Sequence, residues 1–285
     1  MGFGGPGQPL AWVAMEIVIK RVERPRLNLA EIWAYRELFY LLAWRDFKVR
    51  YKQTAIGASW VVFQPLFTMV VFTIFFNKLL GVKSPGGNYE VFVIVGLVYW
   101  NLFASSLQNA SNSLVANQGL ITKVYFPRLI APLATMLVYV VDFAVASLVL
   151  VGVMAFYGVR PGLLGIALAF PMLLVTLLFA GGLGTFFAAV NVRYRDVKFA
   201  VPFLVQTLLF VTPVIYAVNL IPSSFRMVTY INPMAGVVTA MRAELVHQGS
   251  VSWIGVAISS IAACLAAYLG TRYFIRGERR FADIA

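Results

Sequence analysis

Long apolar runs separated by short charged segments dominate the pattern along this chain. A helix of about 20 apolar residues spans a bilayer core of roughly 30 Å. Six runs reach that length, at residues 56–79, 91–114, 129–157, 162–190, 199–218 and 251–275. The pattern therefore predicts an all-α integral membrane protein with six transmembrane helices in one domain, 56–275, between cytoplasmic tails at 1–28 and 276–285.

Residues 29–55 precede the first run and mix aromatic and charged side chains at helical intervals. Trp33, Leu38, Leu41, Leu42 and Trp44 are predicted to share one broad side. Such a pattern is typical of an amphipathic helix at the membrane interface, with its cations towards anionic lipid. The alternative is a helix that packs on the transmembrane bundle.

The segment 218–250 is too apolar for an ordinary loop, yet neither half is long enough to cross a bilayer. Pro233 disfavours helical geometry at Asn232 and divides the segment. Two short re-entrant helices on the outer side would satisfy the backbone if protein or water shields the turn between them. A surface loop is the alternative.

The positions of lysine and arginine predict the orientation, because cationic loops stay in the cytoplasm. Six spans place both termini on one side, and that side carries 18 basic residues against 5 on the other. Both termini are therefore predicted to be cytoplasmic. The charged sequence "NVRYRDVK" at 191–198 becomes a short cytoplasmic turn between the fourth and fifth spans.

Composition agrees with this topology and excludes several classes of function. The chain has 61% hydrophobic and 12% charged residues, whereas soluble domains have about 25% charged residues. The net charge of +12 is spread between apolar runs, so membrane topology explains it better than a nucleic-acid partner. A single cysteine and a single histidine make a disulfide framework or a Cys/His metal site improbable.

Known catalytic motifs are absent from the sequence. It contains no G-x-x-x-x-G-K-[ST] phosphate loop and no H-E-x-x-H zinc motif. We therefore expect no catalytic residue, metal or cofactor in this chain and no ATP hydrolysis by the chain alone. The glycine-rich "AGGLG" at 180–184 lies within a span, where small residues allow helices to pack closely.

Polar residues inside the spans are the first candidates for function, because each is costly unless it faces protein or water. The second span carries a stripe with intervals of four, three and four residues: Asn101, Ser105, Gln108 and Asn112. The stripe could border a hydrated path or form interhelical hydrogen bonds. Asp142 is the only acidic residue deep within a span, and it could be hydrogen-bonded, couple protons or line a path. Without a basic partner in another span, a proton-driven carrier is disfavoured.

Aromatic side chains recur at helical spacing within the spans. Rings can stack on the apolar faces of sugars, so aromatic residues are candidate linings for a glycan channel, although such rings also fill helix cores. The candidates for this lining are Phe63, Phe67, Tyr99 and Phe103.

Four sequence stretches resemble a known family. They are "RDFKVRYKQTAIGASWVVFQPLFTMVVFTIFF" at 45–76, "KVYFPR" at 123–128, "NVRYRDVKFAVPFLVQTLLFVTPVIY" at 191–216 and "YINPM" at 230–234. In order and topology they are similar to the membrane subunit of type-2 ATP-binding-cassette exporters for O-antigen, teichoic acid and capsular polysaccharide. The resemblance covers about residues 30–280.

This resemblance implies partners that the chain itself does not contain. Two copies would form a homodimer and bind two separate ATPase subunits, which carry ATP and Mg²⁺. The segment that docks on the ATPase, here called the coupling segment, would comprise Asn117, Gln118, Leu120, Ile121, Lys123, Tyr125 and Arg128. The cytoplasmic turn would contribute Arg193, Arg195, Asp196 and Lys198 near the same surface.

The function implied is export of a lipid-linked polysaccharide across a bacterial inner membrane. Coulomb attraction would draw the pyrophosphate headgroup to basic residues at the cytoplasmic interface, with screening over about 10 Å. The candidates are Arg45, Lys48, Arg50 and Lys52. An exporter of small hydrophobic compounds and a non-transporting membrane scaffold for glycan synthesis remain alternatives.

Overall fold

The computed structural model describes residues 29–52 and 59–284, so the predicted tail at 1–28 and the start of the first apolar run lie outside the described residues. All regular secondary structure within the described part is helical. In chain order the helices are α1 Leu29–Ala34, α2 Arg36–Lys52, α3 Ser59–Phe72 with its π-helical continuation Thr73–Leu79, α4 Tyr89–Ala116, α5 Gln118–Ile121, α6 Ile130–Phe156, α7 Leu163–Arg193, α8 Val197–Val211, the 3₁₀ turn Val218–Leu220, α9 Ser223–Thr229, α10 Pro233–Val246 and α11 Trp253–Ile284.

Five helical segments are long and apolar enough to cross a membrane. They are Ser59–Leu79, Tyr89–Ala116, Ile130–Phe156, Leu163–Arg193 and Trp253–Glu278. These segments correspond to five of the six predicted apolar runs, and the all-α membrane fold is confirmed. Helix α11 continues through 276–284, where sequence analysis placed a separate tail.

The fifth predicted run forms a shorter helix than expected. Helix α8 ends at Val211 after 15 residues, about 22 Å at 1.5 Å per residue, and this is too short for a complete crossing. Pro213 explains the ending, because it lacks a backbone N–H and forces Thr212 out of helical geometry. Thr212 accordingly has ψ 138°. The predicted spanning helix at 199–218 is therefore corrected to a 15-residue helix followed by an irregular segment.

Arg242 of α10 holds this irregular segment in place. Its guanidinium is 2% exposed and donates from Nε to the Phe92 carbonyl at 2.8 Å and from Nη1 to the Pro213 carbonyl at 2.5 Å. A further hydrogen bond joins Nη2 to the Val214 carbonyl. The Pro213 and Val214 carbonyls lie beyond the end of α8 and have no helical partners, and the arginine supplies the donors that a buried backbone requires. Sequence analysis counted Arg242 only as a charge on the outer side.

Helix α4 is the centre of the bundle. In the most apolar 18-residue stretch of α4, 78% of the residues are buried. Only 17% are buried in the corresponding stretch of the first spanning segment, Ser59–Leu79. It packs against α3, α6, α7, α8 and α10. Glycine also allows α7 and α11 to pack closely. A Cβ on Gly182 of α7 would lie 2.4 Å from the carbonyl carbon of Ala266 in α11. The close packing predicted for "AGGLG" is thus confirmed.

Helix α2 packs on α6 and also leaves a broad aromatic surface exposed. Leu42 and Ala43 are buried in a cluster with residues of α6, whereas Trp33, Leu41 and Trp44 are exposed. The prediction that Leu41 and Leu42 share one side is wrong, because adjacent helical residues point about 100° apart. The interfacial position remains a prediction, since a helix can pack on the bundle and still present rings to lipid.

The segment 218–250 contains the two short helices that were predicted. Asn232 is non-helical, with ψ 112°, and its side chain accepts a hydrogen bond from the Met234 N–H at 3.1 Å as an N-cap. Helix α10 then packs against α4, α7 and α11 and is mostly buried. The re-entrant placement of these helices on the outer side stays a prediction.

Candidate functional site

A polar groove runs along α4, between α2 and α6, with a volume of about 320 Å³. Helix α2 closes one side, because it packs on α6 and places its polar residues towards the end of α4. The polar side chains that line this groove include Arg45, Asp46, Asn109, Asn112, Asn117 and Thr135. In a chain this apolar, so many hydrogen-bonding groups around one groove make it the leading candidate for function.

An ion pair lies at the inner end of the polar groove. Arg50 Nη2 of α2 is 2.7 Å from Asp142 Oδ2 of α6, and the Tyr51 hydroxyl donates to the same carboxylate. The Arg50 guanidinium also lies 4.9 Å from the centre of the Tyr139 ring. Sequence analysis found no basic partner for Asp142 in another span, and its partner Arg50 indeed comes from α2, which precedes the spans.

Arg50 and Tyr139 also border a smaller cavity on the other side of the ion pair. This cavity of about 40 Å³ is lined by Gln64 of α3, by Asn101 and Ser105 of α4, and by Asp142. The ion pair thus lies between two polar spaces, which follow α4 from its end towards its middle.

The residues of the predicted polar stripe show both roles considered for them, lining a polar space and forming interhelical hydrogen bonds. Asn101 and Ser105 line the small cavity and Asn112 lines the polar groove. Asn112 also accepts an interhelical hydrogen bond from Asn191 Nδ2 at 3.4 Å. Gln108 is half-buried and lines neither space. Sequence analysis missed Asn109, although its spacing of four residues from Ser105 could have identified it.

The four aromatic candidates separate by exposure. Phe63 and Phe67 of α3 are 51% and 57% exposed, and with Trp60 they form a ladder with ring centroids 5.6 Å apart. Tyr99 and Phe103 are buried, at 2% and 0% exposure. These two rings therefore do not fit a channel lining, because the central position of α4 surrounds them with other helices.

The buried pair has clear packing roles instead. Phe103 stacks on Phe179 of α7 with ring centroids 4.9 Å apart, and Tyr99 meets Phe143 of α6 edge to face. The Tyr99 hydroxyl donates to the Ala169 carbonyl at 3.3 Å. Both rings join helices inside one protomer, so only Phe63 and Phe67 of the four remain candidates for a lining.

The coupling segment is held at both ends and exposed in the middle. At its start, Arg45 Nη2 of α2 donates to Asn117 Oδ1 at 2.6 Å. At its end, the Arg128 N–H donates to Glu278 Oε1 of α11 at 2.9 Å, and Arg128 Nη1 donates to the Glu278 carbonyl at 2.7 Å. Lys123 and Tyr125 between these anchors are exposed.

The rest of the coupling segment is a short helix with one buried anchor. Helix α5, Gln118–Ile121, buries Ile121 in the cluster that also holds Leu42 of α2, while Leu120 packs against its edge. Gln118 is exposed. The segment is thus a small, firmly placed surface element.

The charged turn at 193–198 exposes all four of its predicted residues. Arg193 ends α7 and lies 5.2 Å from the centre of the Tyr194 ring, while Lys198 in the first turn of α8 lies 4.8 Å from the centre of the Phe199 ring. Arg195 and Asp196 are also exposed between them. Such a turn can contact water, lipid headgroups or a partner protein.

The four predicted headgroup residues fall into two groups. Arg45 and Arg50 point into the polar groove, where they contact Asn117 and Asp142. Lys48 and Lys52 are exposed on the surface of α2, and Lys48 lies 5.4 Å from the centre of the Trp44 ring. A phosphate that approaches from the membrane surface would therefore reach Lys48, Lys52 and the exposed Arg45, whereas Arg50 is paired with Asp142.

Comparison of the sequence with known proteins shows which family the chain belongs to. The chain is 29% identical over 249 residues to the O-antigen export system permease protein RfbA of Klebsiella pneumoniae, a match that covers 87% of this chain and 95% of the relative. It is 30% identical over 217 residues to the RfbA protein of Myxococcus xanthus, with 75% and 82% covered. The polysialic acid transport protein KpsM of Escherichia coli is 24% identical over 226 residues, with 76% and 84% covered.

The family match covers nearly all of α2 and four of the five candidate spans. Residues 37–246 match the family described as ABC-2 type transporter, and this range includes α4, the polar groove and the coupling segment. More than half of the chain is matched. This multi-pass membrane protein belongs to the ABC-2 type transporter family.

Proposed function

We propose that this chain is the membrane subunit of an ATP-driven exporter that moves a lipid-linked polysaccharide of the O-antigen type out of the cytoplasm. The observation that carries the proposal is the similarity to an O-antigen export permease over 95% of that relative's length. Similarity along the whole membrane domain covers the residues that would line the transport path as well as those that form the helical framework. The polar groove and exposed aromatic ladder provide the chemistry that a glycan needs.

The ATPase is a separate subunit in this proposal. No phosphate loop is present in the sequence, so ATP and Mg²⁺ would bind to the partner. The coupling segment is suited to receive it, because both ends are fixed while Lys123 and Tyr125 are exposed. A movement imposed on this segment would reach α2 through Arg45 and α11 through Glu278.

The polysaccharide would begin its passage at α2. Lys48 and Lys52 would attract the anionic headgroup at the predicted cytoplasmic interface. The amides of Asn109 and Asn112 offer donors and acceptors for sugar hydroxyls along the polar groove. Arg45 adds a charged donor at the same end of the groove.

Two copies are needed to enclose the path. The first spanning segment buries few of its residues, and its Phe63 and Phe67 rings face away from the protomer. In a homodimer these rings would form part of a wall on which apolar sugar faces can slide. Both termini would lie in the cytoplasm, because α8 and the irregular segment after it would together complete a sixth crossing of a bacterial inner membrane.

Genetic complementation combined with co-purification tests this function. A strain that lacks the chain should accumulate lipid-linked polysaccharide inside the cell, and the intact gene should restore surface polysaccharide. The affinity-purified chain should bring down an ATPase subunit in equal amount. Normal surface polysaccharide with lost efflux of hydrophobic compounds would favour a small-molecule exporter. Co-purification of glycosyltransferases without an ATPase would favour a scaffold.

A further inference from the structure

A second groove lies between α7 and α11, on a face that the proposed export path does not use. Its volume is about 590 Å³, and its lining includes the small residues Gly182, Ala266 and Gly270 together with the larger Phe186 and Leu269. The two helices touch at the glycines, since a Cβ on Gly270 would lie 1.9 Å from the Gly182 carbonyl oxygen. The absence of side chains at these positions creates an apolar trough between the flanking larger residues.

Two arginines close one end of this trough. Arg272 and Arg276 line the same groove one helical turn apart, and both are exposed. Arg272 donates to the Tyr268 hydroxyl, and its guanidinium lies 5.7 Å from the centre of the Tyr268 ring. Among the described side chains, neither arginine forms an ion pair with a carboxylate. The groove thus combines an apolar trough with two positive charges that no carboxylate in the described part of the chain pairs with.

The length of α11 places the two arginines where the phosphates of a bilayer are expected. Arg272 follows Trp253, the first residue of α11, by 19 residues, which is about 28 Å along the helix and close to the roughly 30 Å thickness of the hydrocarbon core. Arg276 lies about 6 Å further on. The Tyr268 contact draws the Arg272 guanidinium back towards the apolar region, where an uncompensated charge is costly. An anionic group at the boundary would remove that cost.

We propose that this groove binds an anionic phospholipid of the surrounding bilayer. The lipid phosphate would contact Arg272 and Arg276, and one acyl chain would lie in the trough over Gly182, Ala266 and Gly270. Basic pockets between transmembrane helices on the cytoplasmic side bind anionic headgroups by this combination of charge and apolar contact. We call this surface the lipid groove.

Charge complementarity favours a lipid over a second copy of the chain. The chain carries 23 basic and 11 acidic residues, so another copy offers mostly charges of the same sign. Position favours a bilayer lipid over the exported lipid-linked glycan. The lipid groove belongs to α7 and α11, whereas the proposed export path lies at α2, α4 and α6.

Native mass spectrometry of the purified full-length chain tests the proposal directly. The chain in mild detergent would be titrated with phosphatidylglycerol and, separately, with the zwitterionic phosphatidylcholine of the same acyl chains. Each arginine near the membrane surface contributes about a fivefold preference for an anionic lipid, so the pair should give about a 25-fold preference. Replacement by Arg272→Gln and Arg276→Gln together should abolish the preference while weak phosphatidylcholine binding remains.

A matched control removes two exposed positive charges elsewhere. The double replacement Lys78→Gln and Lys83→Gln should retain the full preference for phosphatidylglycerol. If the arginine double variant does not remain monodisperse, Arg276→Gln alone provides the test, with an expected loss of about fivefold.

Three results would overturn the proposal. The first is equal binding of both phospholipids by the unmodified chain, and the second is an arginine variant that keeps its preference. The third is selective retention of a polyprenyl pyrophosphate without phosphatidylglycerol, because it would assign the groove to the transport substrate. Since lipid binding is measured without transport, failure here leaves the proposed export function intact, and failure of export leaves the lipid groove intact.

Discussion

The Arg50–Asp142 ion pair offers the sharpest test of the polar groove. The side chains of Arg50 and Asp142 are 36% and 14% exposed, so the pair is neither a surface contact nor fully enclosed. Exposed pairs contribute about 0–1 kcal/mol, whereas removing one partner of a buried pair costs about 3–5 kcal/mol. We therefore expect Arg50→Gln and Asp142→Asn each to lower the free energy of unfolding by about 1–3 kcal/mol.

A double-mutant cycle isolates the interaction from the individual losses. Asp142 keeps the Tyr51 hydroxyl when Arg50 is removed, and Arg50 keeps the Tyr139 ring when Asp142 is removed. These remaining contacts limit the expected coupling energy to about 1–2 kcal/mol. Unfolding in mixed micelles with increasing sodium dodecyl sulfate measures the four proteins, and Lys78→Gln serves as an exposed-charge control.

The same four proteins connect the ion pair to transport. If the pair fixes α2 against α6, each single variant should export less polysaccharide per ATP hydrolysed, and the double variant should resemble the worse single one. Additive effects on stability, within about 0.3 kcal/mol, would refute the idea that the two side chains act as a unit.

Further predictions concern other contacts of the structure. Arg242→Met should cost at least about 3 kcal/mol in the same unfolding assay, because it leaves several buried carbonyls without donors, and a loss below about 1 kcal/mol would contradict this role. Arg45→Ala should reduce transport while basal ATPase activity of the complex remains, with the exposed Arg36→Ala on the same helix as the control; parallel loss of both activities would argue against transmission through Asn117. Burial and the hydrogen bond to Asp142 raise the pKa of Tyr51 to about 12, so its neutral form contributes stability below pH 10 that is lost as the pH rises towards 12. The destabilisation caused by Tyr51→Phe should consequently be constant between pH 6 and pH 9, and a change across that interval would refute the assignment.

The sequence predicted most of the helical layout because long apolar runs and their charged boundaries are direct consequences of the bilayer. It did not predict the length of α8, although Pro213 was a visible signal that the helix would stop. The family resemblance identified the coupling segment as a unit. Its two anchors were not predictable, because Arg45 and Glu278 are distant from it along the chain.

The sequence predicted some residues of the candidate site and not others, for a related physical reason. Helical spacing correctly placed Asn101 and Ser105 on one side of α4, since that spacing is local. It could not tell that Phe103 is enclosed while Phe63 is exposed, because enclosure depends on which helices become neighbours. The partner of Asp142 was missed for the same reason, since Arg50 lies outside the spans in which a counter-charge was sought.

The contacts that hold the coupling segment determine where the chain can be truncated. Glu278 lies on α11, so a truncation within that helix would remove this anchor. Such a truncation would leave Arg128 without the carboxylate and carbonyl that receive its N–H groups. A version truncated just before Glu278 would keep most of the spanning part of α11 and still lose one of the two contacts that hold the coupling segment.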